Sequence, residues 1–300
     1  MHYAYSYCTN LTGAPVCGNK VTDMSGAYYN CISLTGSPAC GESVKYMGDG
    51  GGIYHSSPMG TGYGGADYGA YQGCTNLTGS PVCGNNVISM MNAYRDCINL
   101  TGAPVCGPKV ADMSGAYYNC TNLTGSPVCG ESVTYMGGKG GTYSATTGGA
   151  YQGCTNLTGS PVCGNNVLYL VDAYRDCINL TGAPTCGERV QYMNGAYYNC
   201  PNLYGNMYVY SNGISNIQDC FYGRNVSNKL DIYVTENSAS LTTLLTNNAS
   251  SMYGASITWT NDLATNGYYY NTDYNTYIYP VANVESARIT NGDPDNMGNL

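Results

Sequence analysis

Phenylalanine and tryptophan are nearly missing from this 300-residue chain, which holds one of each against 33 tyrosines. Its aromatic content is therefore almost wholly hydroxylated, and a ring taken into a core brings a hydroxyl that needs a hydrogen-bond partner. Charge is scarce as well: Asp, Glu, Lys and Arg make up 9% of the residues, against about a quarter in ordinary soluble domains. Ten cations face eighteen acids, for a net charge of −8. That balance argues against nucleic acid, whose binding rests on Lys and Arg neutralising phosphates. No window approaches the roughly 18 apolar residues of a membrane span, and the start, MHYAYSYCTN, lacks the basic and apolar regions of a signal peptide.

Catalytic chemistry is equally thin. Only two histidines occur, His2 and His55, and there is no phosphate loop and no HExxH. Carboxylates such as Asp112, Glu131 and Glu188 fall at variable positions and are expected to be solvated. A cysteine nucleophile needs a base beside it, and no repeated cysteine has one in its unit. The expectation is a non-enzymatic protein with no cofactor and no metal.

What is abundant is cysteine in register. Pairs nine residues apart fall at 8/17, 31/40, 74/83, 97/106, 120/129, 154/163 and 177/186, followed by Cys200 and Cys220. Fourteen residues separate successive pairs except twice, so the period is 23. A fixed period of that size marks a solenoid whose coils touch only their neighbours. One unit, Cys97 to Asn119, reads CINLTGAPVCGPKVADMSGAYYN.

Certain residues recur at every turn and are assigned to the interior. Leu stands at 11, 34, 77, 100, 123, 157, 180 and 203. Val stands at 21, 44, 87, 110, 133, 167 and 190, with Met (once Leu170) three residues on and then an Ala-Tyr pair. Stacked coils place like on like, and the resulting ladders bury what one coil cannot. Pro and Gly punctuate each coil, and no run at helical spacing appears, so short strands, turns and at most single helical turns are expected. The repeated Asn (Asn10, Asn76, Asn99, Asn122, Asn156, Asn179, Asn202) is also expected in a buried ladder, satisfying a turning backbone. The other reading of Asn-Leu-Thr is an N-glycosylation sequon.

The motifs Ala-Tyr-x-x-Cys-x-Asn-Leu-Thr and Pro-Val-Cys-Gly-x-x-Val-x-x-Met resemble the BspA-type leucine-rich repeat, over about residues 4–220. This chain departs from that family's pattern in having Tyr for Phe, Met for Ile, and a second Cys for the strand-end Pro. The resemblance implies a β-rich solenoid, a right-handed leucine-rich-repeat-like array of 23-residue coils, and an occurrence among surface and adhesive proteins. The cysteines keep three readings: free thiols packed as small apolar side chains, disulfides within or between coils at a spacing that bridges allow, or metal ligands. The ladder residues are taken as Cys74, Cys83, Cys97, Cys106, Cys120 and Cys129 with Leu77, Leu100, Leu123, Asn76, Asn99 and Asn122.

A longer period overlies the first. Residues 71–87 (YQGCTNLTGSPVCGNNV) recur unchanged at 151–167, which marks growth by copying of a three-coil block. Two inserts, at 48–69 and 137–149, both enter between Met and the Ala-Tyr pair. Inserts at one register emerge on one face, often the binding face. Their Gly, Ser and Tyr content is like that of adaptable paratope loops, or of plain flexible linkers. The candidate contacts are Tyr54, His55, Tyr63, Asp67, Tyr68, Lys139 and Tyr143.

The pattern changes after the solenoid (1–220). Residues 221–284 are expected to form a small α+β C-terminal cap: a strand at 229–234, a short helix around Leu241, Leu244 and Leu245, a strand with Trp259, and a hairpin around Asn271–Asn275. Residues 285–300 read as a polar tail. The opening coil has no cap, so an exposed edge is expected to meet other protein subunits, in a homo-oligomer or a larger assembly. These features together favour an extracellular, virion-borne protein, a bacteriophage fibre or virion surface component that contacts a host-surface protein or glycan. The alternatives are a BspA-like adhesin on a bacterial cell surface and a self-assembling filament subunit.

Overall fold

The computed structural model describes residues 1–48, 68–138, 148–209, 211, 213–225, 228, 230–235, 269–271 and 276–281. Successive coils stack in parallel through one position, the residue before Met. Bridges run Asp23–Tyr46–Ser89–Asp112–Tyr135–Tyr169–Tyr192–Asn216 without a gap. Backbone bonds flank that ladder, as where Ala111 N donates to Ile88 O and Thr134 N to Ala111 O, both at 2.8 Å. Each coil thus uses its neighbours to satisfy its own backbone. No helix occurs among the described residues.

Sharp corners need left-handed backbone, and the residue types follow. The position before the first Cys has φ near +60° at Asn30, Asp96, Asn119, Asp176 and Asn199, a conformation that Asn and Asp tolerate better than bulkier residues.

The interior consists of the expected ladders. Leu34, Leu77, Leu100, Leu123, Leu157, Leu180 and Leu203 are buried, as are the Val, Met and Ala rungs of the same coils. Leu100→Ala should open a cavity costing about 2–5 kcal/mol. Hydrogen exchange would report it as protection lost in the coils on either side; uniform loss along the whole array would contradict nearest-neighbour stacking.

The tyrosine ladder explains why the ring here is hydroxylated. Tyr28, Tyr71, Tyr94, Tyr117, Tyr151, Tyr174 and Tyr197 stack with centroids 5.4–5.8 Å apart, and Phe221 ends the column. In six of the coils the hydroxyl closes a two-way bond to the backbone near the second Cys. Tyr117 Oη donates to Val105 O at 2.6 Å and accepts from Val105 N at 3.1 Å. The pattern repeats from Tyr28 on Val16 through Tyr174 on Val162. Phe could fill the space but would leave that strand end unpaired.

The asparagine ladder is not inside. Asn10, Asn76, Asn122, Asn156 and Asn179 are exposed, and Asn99 and Asn202 are half-buried. All but Asn202 sit at the second corner of a turn closed by Leu N on Cys O, as in Leu100 N to Cys97 O at 3.1 Å, which aims the side chain outward. The amide nevertheless ties coil to coil: Asn179 and Asn202 donate to Thr155 O and Ile178 O at 2.9 Å, and Asn122 to Asn99 Oδ1 at 3.4 Å.

Beyond the coils lie β1 (Gly205–Val209), β2 (Leu230–Thr235), β3 (Tyr269–Asn271) and β4 (Thr276–Val281), in the sheet order β1-β2-β4-β3. β1 pairs in parallel with β2, and β2 with β4, while β3 and β4 are antiparallel. The strand expected at 229–234 corresponds to β2. β1 was not anticipated; Val209 at its end also bridges Cys186, so the sheet continues from the last coils. The expected helix at 241–245, the Trp259 strand, the turn at 272–275 and the tail 285–300 lie outside the described residues.

Candidate functional site

Both inserts leave the stack through one kind of neck, built from four backbone positions. In an insert-free coil, Ala N bonds back to Met O three residues earlier, as in Ala27 to Met24 at 2.8 Å. The insert coils make the same closure across their inserts: Ala70 N to Met47 O at 2.6 Å and Ala150 N to Met136 O at 2.7 Å. The coil therefore closes as if the insert were not there.

The neck is pressed against the next coil. A Cβ on Gly48 would lie 1.8 Å from Met91 O, and one on Gly69 1.7 Å from Asn92 O. At the second neck, a Cβ on Gly137 would lie 1.7 Å from Val171 O and one on Gly149 1.8 Å from Asp172 O. Only glycine fits such an approach to backbone. Gln72 and Gln152 hold the re-entry, their Oε1 atoms accepting from Gly69 N and Gly149 N at 3.1 and 3.2 Å.

The coil after each insert is adapted to receive it. Where the other inner coils carry Ser25-Gly26, Ser114-Gly115 or Asn194-Gly195, these carry Met91-Asn92 and Val171-Asp172. Met91 and Val171 are buried, and Asn92 and Asp172 hold φ of 53° and 52° in place of glycine. Arg175 on that coil lies 3.8 Å over the Tyr198 ring and 3.2 Å from Asp172 Oδ1; Arg95 lies 4.0 Å over Tyr118. Burial pushes the Asp172 carboxyl up, and Arg175 partly offsets it. These partners were not anticipated from the sequence, although a signal was present: among the inner coils the Ser-Gly or Asn-Gly is replaced in the coil after each insert, as it also is at His2-Tyr3 and Gln218-Asp219 in the end coils.

Of the candidate contacts, Tyr54, His55, Tyr63, Asp67, Lys139 and Tyr143 lie outside the described residues. Tyr68 is described, and it is half-buried at the first neck. Its ring stacks on Tyr29 at 3.9 Å, and its carbonyl accepts from Gly26 N at 2.9 Å. Tyr68 therefore anchors the insert to the preceding coil.

A variable strip runs beside the necks, at the bridge position. Tyr135, Tyr169 and Tyr192 are half-buried there and stack at 5.2 and 5.0 Å. Tyr46 and Tyr135 each stand two residues before a neck glycine. Asp112 on the same strip was expected in solvent but is buried, its Oδ1 accepting from Ser114 N at 2.8 Å in a local turn. Glu131 and Glu188 are exposed.

All sixteen cysteines are free thiols. Cys74, Cys97 and Cys120 are buried and donate to the carbonyls of Tyr28, Tyr71 and Tyr94 at 2.9–3.0 Å. Cys83, Cys106 and Cys129 were also expected in the buried ladder, yet they are only half-buried, each lying under a glycine of the next coil. Burial pushes Cys74, Cys83 and Cys129 up to about 12, and Cys97 and Cys120 well above the usual thiol range. Such thiols stay protonated at neutral pH and make poor nucleophiles and ligands. Among the described residues no group of three or more His, Cys, Asp or Glu could hold a metal ion, and no helix is long and apolar enough to cross a membrane. No protein-family model, curated protein or solved structure matches the chain.

Proposed function

We propose that this chain is a non-enzymatic display platform: a BspA-like leucine-rich-repeat array, borne on a bacteriophage fibre or virion surface, that presents its two inserts to a host-surface protein or glycan. The observation that carries the reading is the paired neck. Two inserts three coils apart leave and re-enter at one register through the same closure, so both necks open on one side of the stack. A rigid scaffold holding loops is a common way to place recognition residues.

Joining Gly48 directly to Gly69, and Gly137 directly to Gly149, restores the Met-x-Gly-Ala spacing of insert-free coils. The double deletion should keep the melting behaviour and circular dichroism of the parent while losing adsorption to host cells. Adsorption at the parental level would reduce the inserts to linkers and refute the reading.

A further inference from the structure

We infer that the side of the stack built from the Cys-to-Cys segments is an interface with a second copy of this chain. The seven segments, from 8–17 through 177–186, contain none of the chain's Lys, Arg, Asp or Glu residues. This is a different surface from the necks and does not depend on what the inserts recognise. From the segment 31–40 on, part of each segment faces inward, through Leu, Pro and the first Cys. The rest faces out, where charge would ordinarily be frequent.

One outward column has no packing reason to be uniform. Thr12, Thr35, Thr78, Thr101, Thr124 and Thr158 are exposed and Thr181 is half-buried. Their backbone is used by the stack, as where Thr101 N donates to Gly79 O at 2.9 Å, while the hydroxyls bond no other described residue. Exposed positions elsewhere in the unit vary freely, for example Thr22, Lys45, Ile88 and Gln191 at one register. The same side also carries exposed apolar groups: Val16, Ile32 and Ile178 are 70%, 41% and 39% exposed, and Tyr204, which takes the threonine position in the next coil, is 53% exposed.

An uncharged surface of methyls and hydroxyls loses little solvation on burial, and interface cores are depleted of charge. A second copy is the occupant that fits on two counts. None of the residues that make up the net charge of −8 belongs to these segments, so like copies repel least when the segments meet. A second copy also has the same coil spacing, so threonine meets threonine along the whole column, each hydroxyl able both to donate and to accept. Such a self-complementary contact is isologous and closes as a dimer.

Analytical ultracentrifugation of the full chain across a concentration series tests this. The parent should sediment with twice the monomer mass. Thr101→Lys/Thr124→Lys and Thr101→Asp/Thr124→Asp should both halve it, with melting and circular dichroism as checks on the fold. Ile88→Lys, which removes an exposed apolar group outside these segments, should remain dimeric. A monomeric parent would overturn the inference and leave an uncharged polymer as the better occupant. Dissociation by only one sign of charge would also overturn it, since that requires a charged partner surface, as would dimers that persist in both double variants.

Discussion

Tyr117→Phe should destabilise its coils by about 1–3 kcal/mol, although it removes a single oxygen and leaves the ring stack intact. The hydroxyl both donates to and accepts from Val105, so its loss leaves a backbone donor and acceptor without partners in a half-buried place. Tyr117→Ala should cost about 3–5 kcal/mol, because a buried ring is lost as well. Tyr197 provides an internal comparison: its hydroxyl only donates, to Thr185 O at 3.0 Å, so Tyr197→Phe should cost less than Tyr117→Phe. Local unfolding free energies from hydrogen exchange suit an array whose coils need not melt together. Equal costs for the two Phe variants would show that ring packing alone selects the aromatic residue.

Raising the pH should unfold the array between about 9 and 12, well before its buried phenols ionise in place. Burial lifts Cys74 from its ordinary 9.0 to about 12 and does the same for Cys83 and Cys129. It also drives the hydroxyls of Tyr94, Tyr117, Tyr151 and Tyr174 well above their ordinary 10.0. A pKa raised on folding means the folded chain keeps a proton that the unfolded chain releases. The associated stability is fully present below pH 9 and declines as pH rises towards the folded value. Each such thiol removes about 1.4 kcal/mol per pH unit across that window. Several acting together exceed the reserve of about 5–15 kcal/mol typical of a folded domain. In a pH titration, tyrosinate absorbance should therefore appear in one step with loss of circular dichroism. Gradual ionisation of the buried phenols with the coils intact would contradict this. At neutral pH the exposed Cys8 should react with a thiol reagent long before Cys97 or Cys120.

Much of the interior was legible in the chain because stacking turns a period into ladders. Leu77, Leu100 and Leu123, the Val and Met columns and the first cysteine of each pair recur every 23 residues, and from Cys31 onward all are buried. The direction of a side chain at a corner was not legible in the same way. Asn76 and Asn122 share the period of the core yet point outward, because turn geometry, set by φ and ψ, decides their side. Asp112 went the opposite way: it occupies a variable position but is buried by its bond to Ser114 N.

By itself the sequence determined the period, the inward rungs and the register at which the two inserts break in. A linear core leaves those in plain view, since each coil must repeat what its neighbour buries. Only the tertiary structure decided why the ladder ring is Tyr, why the necks are glycine, and why Met91-Asn92 and Val171-Asp172 follow the inserts. The tyrosine is chosen by its hydroxyl's bond to backbone within its own coil, 2.6 Å from Tyr117 Oη to Val105 O, and the neck residues by the close approach of backbone between one coil and the next. A repeat pattern records which residues recur, and it carries no record of how far apart two backbones come to lie.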